Sequence, residues 1–159
     1  MAYGAKYVGS LWNASVQPMT RRFKVKANEV ITKGDWLNIE SGKLLVASAG
    51  DSVIGVAHET VTGNAGATST CETVVARPGD LYIMDNDNDT ETFAATDVGE
   101  YHDLVGTTGI QQIDTNADSS TVGQFLCIEY NPQGFGYDSD TSIGLYTPTQ
   151  TMFSSQYNE

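Results

Sequence analysis

The chain has 159 residues, a net charge of −12 and two cysteines. That length supports one domain with a substantial core; the acidity argues against wrapping nucleic acid, and no run approaches the ~20 apolar residues of a membrane helix. Met1 to Ser10 lacks the apolar stretch of a secretion signal, so synthesis in a cytoplasm with no membrane step is expected.

Helical periodicity is absent, and short runs of strand-forming residues alternate with Gly, Asp and Asn. Phe23, Val25 and Ala27 alternate with Lys24 and Lys26, as in a half-buried strand. Trp36 to Ile39 and Lys43 to Ala47 flank Glu40-Ser41-Gly42, a hairpin turn. Val53 to Ala57 follows, then Cys71 to Arg77 and Leu81 to Met84 about the turn Pro78-Gly79-Asp80. Tyr101 to Val105 and Ile110 to Asp114 bracket Gly-Thr-Thr-Gly, and Phe125 to Tyr130 reads as a strand buried on both faces. Gly-Asp recurs at 34–35, 50–51 and 79–80, each time before a strand, at irregular spacing. That is turn chemistry and not an internal repeat. The fold class is all-β: a small barrel or sandwich of short antiparallel strands with extended N- and C-terminal arms. The divisions expected are an arm over 1–20, a β domain over 21–130 and a tail over 131–159.

The ends are unlike disordered tails, which are poor in aromatics. Tyr3, Tyr7, Trp12, Phe135, Tyr137, Tyr146, Phe153 and Tyr157 place eight of the 15 aromatics in these 49 terminal residues. Such residues dock either on their own domain or on a neighbour. Charge is also polarised. The first 43 residues hold seven of the eight basic side chains (Lys6, Arg21, Arg22, Lys24, Lys26, Lys33 and Lys43) against Glu29, Asp35 and Glu40, a net of +4. The remaining 116 carry 17 acids against Arg77 alone, a net of −16. Either the halves neutralise each other within the fold, or they present an acidic face to solvent and a basic one to a partner. The candidate interface residues are therefore Tyr7, Trp12, Arg21, Arg22, Phe23, Phe135, Tyr137, Tyr146 and Phe153.

Groups that carry catalysis are scarce. His58 beside Glu59, and His102 between Tyr101 and Asp103, point to opposite faces from their neighbours on a strand and make no acid–base dyad. No nucleophile elbow or phosphate loop occurs. Cys71 and Cys127 lack metal-ligand spacing and read as buried free thiols, with a disulfide between them the minor alternative. Asp85, Asp87 and Asp89 match the first three positions of a calcium loop, but Thr90 stands where Gly is needed and Thr96 where the bidentate Glu is needed. A solvated acidic loop between strands is the simpler reading. The sequons at Asn13 and Asn88 read as chance without a secretion signal.

Val30 to Ala57 (VITKGDWLNIESGKLLVASAGDSVIGVA) resembles the small β-barrel decoration, or cement, proteins of tailed bacteriophages. There a Gly-Asp turn opens a strand, a Gly-Lys hairpin follows and a Gly-Val-Ala strand closes the unit. Val98 to Pro132 resembles a segment of auxiliary phage virion proteins, and the two stretches cover 63 residues. The resemblance implies a non-enzymatic virion protein with no cofactor. It would sit on the outer surface of the filled head, as a homotrimer, and bridge major capsid subunits against internal pressure. The alternatives are another virion position (neck, tail or head fibre base) or a β module that binds carbohydrate with calcium at Asp85, Asp87 and Asp89.

Overall fold

A computed structural model describes residues 4–11, 17–119 and 121–152. It is all-β, with two larger antiparallel sheets and no closed barrel. The five-stranded sheet has the order β2-β8-β6-β4-β5: β2 (Thr20–Lys24), β8 (Thr70–Val75), β6 (Gly55–Ala57), β4 (Trp36–Glu40) and β5 (Lys43–Val46). The six-stranded sheet has the order β1-β9-β13-β12-β10-β11: β1 (Lys6–Ser10), β9 (Asp80–Asp85), β13 (Ile143–Pro148), β12 (Phe125–Tyr130), β10 (Tyr101–Val105) and β11 (Gln112–Ser119). A two-stranded ribbon, β3 (Val30–Ile31) and β7 (Val61–Thr62), completes the set, with one 3-10 turn at Ala95–Asp97.

The β4–β5 and β10–β11 hairpins form where the turn residues place them. Pro78-Gly79-Asp80 behaves differently. It joins β8 of one sheet to β9 of the other, so it is a crossover and not a hairpin. All three Gly-Asp sites build one device. Asp35, Asp51 and Asp80 donate their N–H to the carbonyls of Thr32, Ser48 and Arg77 at 3.0, 3.1 and 3.1 Å. In return their carboxylates accept the N–H of those residues at 2.8, 2.8 and 3.0 Å. The glycine between has φ of +97°, +80° and +85°, the left-handed position a type II turn requires.

Two segments expected to be arms belong to the sheet. β1 pairs with β9, and β13 is a central strand between β9 and β12. The main core lies between the sheets and is built on Trp36, Tyr82, Met84, Phe93, Phe125 and Tyr146. Trp36 packs edge-on to Tyr82 at 4.6 Å and against Phe125 at 4.7 Å, ring to ring. A second cluster (Val25, Ile31, Leu37, Leu44, Ile54, Ala57, Cys71) lies against the five-stranded sheet. A third, of Ile83, Ile143 and Leu145, is covered by Val8, Phe135 and Tyr137. The strand over 125–130 is fully buried only at Phe125 and Cys127, while Leu126 and Ile128 are half-buried and Glu129 is exposed.

Candidate functional site

The charge polarity of the sequence becomes a polarity between sheets. Strands of the six-stranded sheet carry Lys6 against Asp80, Asp85, Asp103, Asp114, Asp118 and Glu129. Strands of the five-stranded sheet carry Arg21, Arg22, Lys24 and Lys43 against Glu40 and Glu72. Three of those basic residues sit on β2, the outermost strand of that sheet.

The β2 edge is open. Val75 donates its N–H to Met19 at 2.7 Å and Val25 donates to Ser69 at 2.8 Å, so alternate residues from 19 to 25 bond inward to β8. The backbone groups of Thr20 and Arg22 therefore face outward, whereas at the β2 end the Val25–Leu44 bridge joins Lys24 and Lys26 to β5. Arg21, Arg22 and Lys24 are exposed, while Phe23 is half-buried against the second core cluster. The Arg22 guanidinium donates to Glu59 at 2.8 Å. The Glu72 N–H, and then Arg22, hold the Glu59 carboxyl below its ordinary range.

Two other outer strands, β5 and β11, are covered. On β5 the Leu44 carbonyl accepts the Lys26 N–H at 2.9 Å, and the Val46 N–H donates to Glu29 at 3.0 Å. On β11 the cover is the acidic run itself. Asp87 donates its N–H to Ile113 and accepts the Thr115 N–H, both at 3.0 Å. Asp89 accepts from the Asn116 amide at 2.7 Å, and Asp85 accepts from Gln112 and the Ser142 hydroxyl. The three carboxylates that suggested a calcium loop are thus distributed among separate donors. Among the described residues no group of three or more His, Cys, Asp or Glu is placed to hold a metal ion. Covering a strand edge in this way blocks edge-to-edge pairing.

Where β1 meets β6 and β8 there is a cleft of about 570 Å³. Its floor is the buried Gly4, Gly34, Val56, Ala57, Val74 and Tyr82. Gly4 and Gly34 cross so closely that a Cβ on Gly4 would lie 3.1 Å from the Gly34 Cα. The half-buried Tyr7 and Tyr137 form walls, and the exposed Pro18, Lys6, Lys33 and His58 form the mouth. The Lys6 ammonium stands 5.9 Å from the centre of the Tyr137 ring. Arg77 donates to the Tyr7 hydroxyl at 3.3 Å and pairs with Asp80 at 3.0 Å. The Tyr82 hydroxyl is buried without a hydrogen-bond partner among the described residues.

The expected interface residues therefore divide. Tyr7 and Tyr137 line the cleft; Arg21, Arg22 and Phe23 form the open edge; Phe135 roofs the third core cluster. Tyr146 is not an interface anchor: it is fully buried in β13 and donates to the Asn86 side chain at 2.6 Å. Trp12 and Phe153 lie outside the described residues. Sequence reasoning missed Lys33, His58 and Tyr82, because the strands that gather them are far apart along the chain. His58 is exposed, whereas His102 is fully buried, its Nδ1 at 3.4 Å from the Asp114 carbonyl. Cys71 and Cys127 are buried free thiols, and burial pushes them up to about 11 and about 12. In comparison with known proteins, the chain matches no family model and no curated protein sequence.

Proposed function

We propose that the protein is a structural component of a tailed-phage virion that decorates the outside of the head, as a trimer, and bridges major capsid subunits. One observation carries this reading furthest: a strongly acidic chain gathers Arg21, Arg22 and Lys24 on an open strand edge. Outer strands β5 and β11 are covered. A basic edge with free backbone donors and acceptors suits an acidic surface or strand of a partner. The acidic six-stranded sheet, with its β11 edge covered, suits the solvent side. The reading is non-enzymatic and needs no cofactor. The distribution of Asp85, Asp87 and Asp89 among separate donors gives the carbohydrate-binding alternative no support.

The test is co-sedimentation with expanded heads of a tailed phage whose genome encodes the chain. The wild type should bind saturably and raise the melting temperature of the shells. The exposed triple variant Arg21→Glu/Arg22→Glu/Lys24→Glu should fold, and its binding should be lost. Charge reversal is the cleaner perturbation, because deleting residues 1–20 would also strip β1 from β9. If the folded triple variant binds heads as well as the wild type, the reading fails.

A further inference from the structure

The cleft between β1, β6 and β8 has features that strand-edge pairing does not use. In a chain with 20 acidic side chains, its described lining holds Lys6, Lys33 and His58 and no acid. Its walls are the Tyr7 and Tyr137 rings, and its floor is apolar. The volume of about 570 Å³ lies in the range of sites that enclose a ring-sized group. At the base, the buried Tyr82 ring closes the floor. The Lys6 ammonium over the Tyr137 ring leaves the rest of its charge open to the mouth.

We propose that this cleft seats an aromatic side chain flanked by carboxylates, carried on an extended acidic peptide of a partner protein. The ring packs between Tyr7 and Tyr137 over Val56, Ala57 and Val74. The carboxylates meet Lys6 and Lys33 at the mouth. The proposal goes beyond the virion reading and does not depend on it, since any partner offering such a segment would serve.

The probe is acetyl-Asp-Phe-Asp-amide, titrated into the isotope-labelled full chain and followed by the amide signals of Gly4, Lys6, Gly34, His58 and Val74. The expected result is a saturable shift of those signals with a Kd of about 1 mM or tighter. Acetyl-Asn-Phe-Asn-amide and acetyl-Asp-Ala-Asp-amide should each bind more weakly, because one lacks the charge and the other the ring. Lys6→Ala/Lys33→Ala, two exposed positions, should weaken binding roughly fivefold. No saturable shift, or equal binding of all three peptides, overturns the proposal. Peptide binding that leaves head binding uninhibited supports the cleft and separates its occupant from the head.

Discussion

The three Gly-Asp turns offer a graded experiment, because one motif occurs in three environments. Each carboxylate accepts the N–H three residues back, so replacement by Ala removes that bond everywhere. Asp51 does little more, and it is partly exposed, so water can take over. Losing one such bond at the surface costs about 0.5–1 kcal/mol. Asp80 is 2% exposed and also holds the Arg77 guanidinium, itself about one-third exposed, so Asp80→Ala should cost about 2 kcal/mol. Asp35 is 1% exposed and accepts two further bonds, from the Thr108 hydroxyl at 2.7 Å and the Gly109 N–H at 2.8 Å. Its removal strands three donors and releases the 106–109 loop from β4, at a cost of about 3–4 kcal/mol. For a domain this size, 1 kcal/mol corresponds to about 2–4 °C. Thermal unfolding should therefore fall by roughly 6–16 °C for Asp35→Ala and by roughly 1–4 °C for Asp51→Ala. Asp35→Asn should lie between them, because one amide oxygen still accepts while the NH₂ group confronts a donor. Equal losses at positions 35 and 51 would mean that turn closure, not burial of the acceptor, sets the cost, and would refute the reasoning.

Two tyrosines should respond oppositely to loss of the hydroxyl. Tyr146→Phe removes the donor to Asn86 and should cost about 1–2 kcal/mol in urea denaturation. Tyr82→Phe removes an unpartnered buried hydroxyl and should leave stability unchanged or raise it by up to about 1 kcal/mol. The cysteines should resist a maleimide reagent at pH 8, since burial raises both thiols above their ordinary value, and should label fully on unfolding. Rapid labelling of the folded chain at either position would contradict the burial.

What was legible in the sequence is what is local. The Gly-Asp turns span four residues and declare themselves through a glycine at positive φ and a carboxylate within reach of a nearby N–H. The hairpins β4–β5 and β10–β11 are equally short-range. What failed was pairing at a distance. β1 finds β9 some 75 residues later, and β13 finds the same strand from the other side about 60 residues on. Neither segment announces this. Lys-Tyr-Val-Gly-Ser carries a glycine, and Ile-Gly-Leu-Tyr-Thr-Pro follows a stretch of turn residues, so both read as tails. The aromatics of those segments signal docking, since large rings seek cover. Here Tyr7, Phe135, Tyr137 and Tyr146 dock on their own domain. The acidic run was likewise visible, but its task of covering β11 depends on Ile113 and Thr115, some 26 to 28 residues away.

The charge polarity has a topological cause. The five-stranded sheet is assembled wholly from residues 20–75, whereas the six-stranded sheet takes β1 and then residues 80–148. With β1 alone crossing over, position along the chain maps almost directly onto position in the sandwich. A gradient of charge along the sequence must then become a difference between two faces. Within the basic half, Arg22 and Lys26 find Glu59 and Glu40, both at exposed sites where such pairs contribute little to stability. Arg21 and Lys24 remain on β2, whose outward backbone is open at Thr20 and Arg22. Stability of the monomer does not require that arrangement, because the fold is held by the three apolar clusters and the turn carboxylates. On the proposed reading, in which β2 meets a partner, the sign of this pattern calls for an acidic surface where that partner touches β2.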